Sequence, residues 1–289
     1  MSQPSLFDKL NRPGPVLMVA LVLCLLAVLV SCLLRTETTG QRAAALVETT
    51  AEPTLESTPE PTPEPTPEPT PEPTPEPVPD YTKPVPEGAA VDPEEWFSDA
   101  VFIGDSRTDG LHLFSGITSK ADFLFSTGIT VFEVNDGKKV IRQGEKKISI
   151  LDALSQKSYG KVYISLGVNE LGGYDPEGYG EIYGQLVDKV RERQPNARLY
   201  IQTIIPVNTE KCKLHGQRYY VTNENIAAYN AALAKMTAEK QVPLVNVSEA
   251  LVDETGEVQY ELSADGVHFK RAGYEIWLDY LTRHTEMLP

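Results

Sequence analysis

The chain has 289 residues, 23% of them charged, and a net charge of −15. That charge is unevenly spread: residues 1–35 carry +2, residues 36–95 carry −12 and the remainder −5. No basic stripe is available to neutralise phosphates, which excludes nucleic acid as a partner. Of the three cysteines only Cys212 lies beyond the N-terminal apolar run, which excludes an internal disulfide framework.

The first element is Val16–Leu34, 19 residues without a charge. As a helix, such a run matches ~30 Å of hydrocarbon. Lys9 and Arg12 precede it and favour a cytoplasmic segment over residues 1–15. The expectation is a single-pass signal anchor over 16–34 in a bacterial cell membrane, with everything after it extracytoplasmic. A cleaved signal peptide fits less well, because its apolar core spans ~7–15 residues and ends at a small-residue site. A second alternative stays open. Leu29-Val30-Ser31-Cys32 resembles a lipoprotein signal with Cys32 as the lipidated residue. Either route leaves the chain attached to a membrane.

Residues 35–91 are expected to form a disordered stalk. Thr58–Pro77 is five copies of Thr-Pro-Glu-Pro. Proline fixes φ and removes the N–H donor, so neither helix nor sheet forms, and polyproline II geometry extends such a segment at ~3.1 Å per residue. Repeated glutamates keep it extended by repulsion.

Residues 92–289 read as one globular domain, large enough to bury a core without staples. Asp92-Pro93-Glu94-Glu95 opens a short helix, with aspartate as cap and proline at its first position. Short apolar strands follow at Val101–Ile103, Phe123–Phe125, Lys161–Leu166, Leu199–Ile205 and Leu244–Val247. Helices are expected at Ile148–Ser158, from Asp175 to Gln194, at Asn223–Lys240 and at Arg271–Thr285, with a long loop over Pro206–Thr222. Strands alternating with helices predict an α/β fold, a three-layer α/β/α sandwich around a parallel sheet. Ligands of such folds sit beyond the carboxyl ends of the strands.

Polar residues gather at those ends. Gly104-Asp105-Ser106 follows the first strand and opens a helix, where free N–H groups favour developing negative charge. Gly128 follows the second strand, and Gly167-Val168-Asn169 the third. In Asp265-Gly266-Val267-His268 a spacing of three lets a turn bring the carboxylate onto the imidazole. Separately each has an ordinary reading: Ser106 as a helix cap, Asp265-Gly266 as a turn, Gly128 and Asn169 as turn residues. His112, His215 and His284 pair with no acid at such spacing, and His284 ends the last helix, where a cation suits the dipole. No cluster has zinc or calcium ligand spacing, so neither a metal nor another cofactor is expected. Cys212 lies between Lys211 and Lys213, which lowers a thiol pKa, and reads as a plain loop cysteine.

Together and in this order, the four blocks resemble the GDSL/SGNH hydrolase family over nearly all of Val101–Leu281. The resemblance implies a flavodoxin-like SGNH fold, with Ser106 as nucleophile, His268 as base and Asp265 orienting it. It also implies an oxyanion hole made of the Ser106 N–H, the Gly128 N–H and the Asn169 amide. Two departures are visible: Glu170 stands where the family's third block usually ends in Asp, and Arg107-Thr108 rather than Leu follows Ser106. The implied activity is ester hydrolysis, with acylated carbohydrate of the cell envelope as the expected substrate. An O-acyltransferase acting on envelope glycans, and a non-catalytic glycan-binding protein, remain as alternatives.

Overall fold

A computed structural model describes residues 79–286. The expected membrane span and the Thr-Pro-Glu-Pro repeats lie outside these residues. Among the described residues no helix is long and apolar enough to cross a membrane.

Five parallel strands form the central sheet: β1 (Ala100–Gly104), β2 (Asp122–Phe125), β5 (Lys161–Ser165), β6 (Arg198–Gln202) and β7 (Leu244–Val245), in the order β2-β1-β5-β6-β7. The strands carry apolar residues on both faces because both faces are covered. Val101, Ile103, Val162, Ile164, Leu199 and Ile201 point into one core. That core is closed by α5 (Pro176–Arg193) and α7 (Asn223–Lys240), with α3 (Val131–Asn135) and α4 (Ile150–Leu154) at its side. The intervening strand residues Phe102, Tyr163 and Tyr200 point into the other core, closed by α2 (Ser106–Phe114) and α9 (Arg271–Arg283). Parallel register sets Phe123, Phe102, Tyr163 and Tyr200 side by side. Their rings stack in a row at 4.9, 4.9 and 4.6 Å. Each such pair adds ~0.5–1.5 kcal/mol beyond its burial.

The three-layer α/β/α sandwich with a parallel sheet is therefore as expected, and four helix starts obey their local signals. Asp92 caps α1 (Pro93–Trp96), Asp175 caps α5 with Pro176 at its first position, and Thr222 caps α7. Thr130 and Glu133 form a capping box at α3.

Several segments differ from the sequence reading. Residues 79–91, assigned to the stalk, instead run along the folded body. Val85 N–H donates to the Leu244 carbonyl (2.8 Å), Gly88 N–H to Arg283 (2.7 Å) and Val91 N–H to Thr282 (3.0 Å). Val85 is buried in the core beneath α9. Proline content misled here, because prolines suit a chain that lies extended on a surface as well as one that extends into solvent. The helix expected over Ile148–Ser158 is only α4, because Lys146–Ser149 pairs as β4 with β3 (Lys139–Gln143) in an antiparallel hairpin. Gly144 has φ +62° in its turn. The Pro206–Thr222 loop contains α6 (Thr209–Leu214), capped by Asn208, and a short α8 (Ser248–Leu251) follows β7.

Candidate active site

The site starts with Gly104, the last residue of β1. A Cβ there would lie 2.5 Å from the Ser165 carbonyl and 2.0 Å from Thr108 Oγ1, so only glycine lets the chain leave the sheet at this point. Asp105 then caps α2, its Oδ1 accepting from the Arg107 N–H at 2.9 Å. Ser106 becomes the first helical residue, and its own N–H is one of those a helix leaves unpaired. β1 lies where the strand order reverses, with β2 on one side and β5, β6 and β7 on the other. This is the crevice where open α/β sheets bind ligands.

Ser106 Oγ lies 2.8 Å from His268 Nε2, although the two are 162 positions apart. His268 Nδ1 lies 2.8 Å from Asp265 Oδ2. Asp265 Oδ1 accepts from the N–H groups of Val267 (2.9 Å) and His268 (2.8 Å). The spacing of three thus closes a turn that pins the carboxylate against its own imidazole. Burial works against the charge of Asp265, but the His268 N–H, the imidazole and the Val267 N–H hold its carboxyl below the ordinary range. With an ionised acceptor at Nδ1, a neutral imidazole carries its proton there and turns the Nε2 lone pair to the serine hydroxyl. Gly266 bends this loop at φ +100° and packs on Cys212, whose Sγ a Cβ would approach to 2.4 Å.

The other expected residues lie after β2 and β5, the two strands that flank β1. Gly128 adopts φ +76° on the surface after β2, and its N–H makes no hydrogen bond among the described residues. Asn169 is exposed, but its amide is already engaged. Nδ2 donates to Asp105 Oδ2 and to the Ile129 carbonyl, both at 3.1 Å. It therefore ties the cap of α2, the helix that Ser106 opens, to the segment that carries Gly128. To donate to a third oxygen it must share one of these two bonds.

Beneath this rim lie groups whose part the sequence did not reveal. Asp105 is 2% exposed, and burial pushes its carboxyl above the ordinary range. Glu170 is 1% exposed. Its Oε1 accepts from the Val131 N–H at 2.6 Å, while Oε2 is buried without a partner. Burial, reinforced by the charge of Asp105, pushes Glu170 up to about 8. Arg107 Nε donates to the Val267 carbonyl (2.9 Å) and Nη1 to the Ile205 carbonyl (2.6 Å). The only signals for the last two were departures from the family pattern at these positions.

The remaining histidines stand apart. His112 packs on Phe123 and Phe125, His215 ends α6, and His284 is buried against Tyr280 with Nδ1 at 2.8 Å from the Tyr280 carbonyl. His284 thus meets a carbonyl of the last turn of α9, the end of the helix where it was expected. Cys212 is buried in α6, and burial, aided by Asp265, pushes its thiol up rather than down. Among the described residues no three His, Cys, Asp or Glu side chains gather into a possible metal site.

The model of the GDSL-like lipase/acylhydrolase family matches residues 102–276, more than half of the chain. A Saccharomyces cerevisiae protein, the isoamyl acetate-hydrolyzing esterase, is 43% identical over 68 residues. That segment spans 24% of this chain and only 29% of the esterase. A structure from Streptococcus pneumonia, described provisionally as a platelet activating factor, matches at TM-score 0.52 and 23% identity, over 63% of this chain and 81% of that one. It is similar in fold. A GDSL-like lipase from Bacteroides thetaiotaomicron matches at TM-score 0.48 and 15% identity, over 65% of this chain and 87% of its own.

Proposed function

The chain belongs to the GDSL-like lipase/acylhydrolase family, and from that premise we propose that it is an SGNH-type serine esterase in which Ser106, His268 and Asp265 carry the reaction. The observation that supports this reading most is the continuous 2.8 Å relay from Ser106 Oγ through His268 to Asp265. Ser106 Oγ attacks the ester carbonyl while His268 Nε2 takes its proton, and Asp265 stabilises the imidazolium that forms. The tetrahedral oxyanion collects donors from the Ser106 N–H, the Gly128 N–H and the Asn169 amide. Collapse breaks the bond to the alkoxy group, which leaves with the proton from His268 and yields an acyl-serine. Water activated by His268 then releases the acid.

The exposure of the site supports a substrate class. Ser106 and His268 are only half-buried, and Asn169 is exposed. The cavities between residues 84–87 and α9, and between α5 and α7, contain none of them. An open site suits a small acyl group, acetyl first, on a bulky alcohol such as an envelope polysaccharide. The Val16–Leu34 span and the Thr-Pro-Glu-Pro stalk support tethering of the enzyme outside a bacterial membrane, within reach of such polymers.

The test uses the full chain with p-nitrophenyl esters of graded chain length and with O-acetylated envelope polymer. Acetate release from both, lost in Ser106→Ala together with labelling by a fluorophosphonate, is the expected result. Hydrolysis only of long-chain esters would overturn the acetyl-glycan reading, and acetyl transfer to an added glycan in preference to water would make the protein an acyltransferase. Wild-type labelling of Ser106→Ala would remove the serine from the mechanism.

A further inference from the structure

The residue after the nucleophile is an arginine, and it is buried to 3% exposure. Arg107 spends its donors on main-chain carbonyls, Val267 at 2.9 Å and Ile205 at 2.6 Å, rather than on carboxylates. Its third nitrogen, Nη2, is buried without a partner, and its guanidinium carbon lies 5.2 Å from the centre of the Phe269 ring. Desolvating a cation for two neutral carbonyls is a costly way to fill space, since an apolar side chain would fill it without that penalty. The placement of the two carbonyls accounts for the choice. Val267 separates Gly266 from His268. Ile205 lies in the segment after β6 whose Asn208 N–H donates to the Gly266 carbonyl at 3.0 Å. Arg107 itself is in the first turn of α2, one residue from Ser106.

We propose that Arg107 is a positioning residue: it ties the loop carrying Asp265 and His268 to the helix that carries Ser106, so that nucleophile and base share one rigid reference. The inference rests on the roles proposed above for those three residues. Nε and Nη1 of one planar guanidinium hold the Val267 and Ile205 carbonyls at fixed positions relative to each other and to α2, which two independent flexible donors would not do. Leucine at this position would fill the volume but leave two buried carbonyls without donors, and the loop would be free to rotate away from Ser106. The 2.8 Å contact of Ser106 with His268 would then be one of several arrangements, and a misplacement of ~1 Å costs on the order of 10²-fold in rate.

The experiment compares full-length wild type, Arg107→Leu, Arg107→Lys and Ser106→Ala. It reads kcat and KM on p-nitrophenyl acetate, thermal melting, and the low-field proton resonance of His268 Nδ1–H. Arg107→Leu is expected to lose roughly 10²-fold in kcat with KM nearly unchanged. Its low-field resonance should broaden or shift. Arg107→Lys keeps a donor without the planar fork and should fall between the two, at about a tenfold loss. Wild-type kcat together with a wild-type resonance in either folded variant overturns the proposal, and if Arg107→Leu fails to fold, Arg107→Lys decides alone. A loss that follows the melting temperature while the resonance stays unchanged also overturns it, by reducing Arg107 to a stabilising residue. Activity retained in Ser106→Ala would instead overturn the reading of the triad, a result the arginine variants do not imitate.

Discussion

The rim and the floor of this site treat their acids in opposite ways. At the rim, the Asp265 side chain is 30% exposed, takes three hydrogen bonds and is held below the ordinary carboxylate range. On the floor, Asp105 and Glu170 are almost wholly buried and pushed up, and Glu170 leaves one oxygen without a partner. In the proposed mechanism the rim keeps a charge beside the imidazole that takes up and releases a proton. The floor holds backbone in place: Asp105 caps α2, Glu170 holds the Val131 N–H, and Asn169 joins Asp105 to Ile129. Burial alone thus does not mark a carboxylate as catalytic, because the number and direction of its donors decide what it does.

The most severe way to break this contrast is to neutralise the rim. Asp265→Asn keeps the shape but offers an amide where His268 needs an acceptor, which turns the imidazole to the wrong tautomer. The kcat should fall by roughly 10⁴-fold with the fold intact, as measured by ester hydrolysis beside circular dichroism. A loss of less than tenfold would mean that Asp265 does not orient the base.

Next comes the residue that joins the two regions. Asn169→Ala removes one of the proposed oxyanion donors and should lower kcat by ~10²–10³-fold with little change in KM. Because Asn169 also bonds Asp105 and the Ile129 carbonyl, a fall in melting temperature should accompany the kinetic loss. A kinetic loss without that fall would assign Asn169 to the rim alone.

Glu170 tests the floor. Its folded pKa of about 8 is above the ordinary 4.5, so between these values the folded state holds a proton that the unfolded state has released. Its contribution to stability is fully present below about 4.5 and is lost as pH rises to about 8. The slope is on the order of 1 kcal/mol per pH unit. Glu170→Gln, which retains the acceptor for the Val131 N–H, should match wild type in acid and melt above it near pH 8. Its kcat on a small ester should change little. Parallel melting curves across this range would show that Glu170 is ionised in the fold.

The smallest effect lies farthest from the chemistry. Val85→Ala removes a buried contact of the segment along α9 and should cost about 1–2 kcal/mol, a few degrees in melting temperature, without changing kcat. No change in melting would return residues 79–91 to the stalk.

Much of this molecule is legible locally. The strand cores are runs of apolar residues, helix starts carry Asp92, Asp175 and Thr222 as caps, and Asp265 and His268 meet through a turn of four residues. Short-range rules act on short-range sequence, so these elements, the layered architecture and the family motif could be read in order along the chain. The hairpin at Lys139–Ser149 is less legible, because strands of five and four residues with charged outer faces carry no period that outweighs the helical reading of Ile148–Leu154.

What only the tertiary structure decided are the matters set by desolvation and by contacts between distant segments. The 162-residue gap between Ser106 and His268 is closed by the sheet, not by any local propensity. Glu170 and Asp105 acquire raised pKa values only because other elements exclude water from them, and the thiol of Cys212 moves opposite to the direction its lysine neighbours suggest for the same reason. The Arg107 clamp and the packing of residues 79–91 depend on which carbonyls face which donors after folding. The chain order of residues fixes their types and local turns, whereas the electrostatic state of a buried group is a property of everything packed around it.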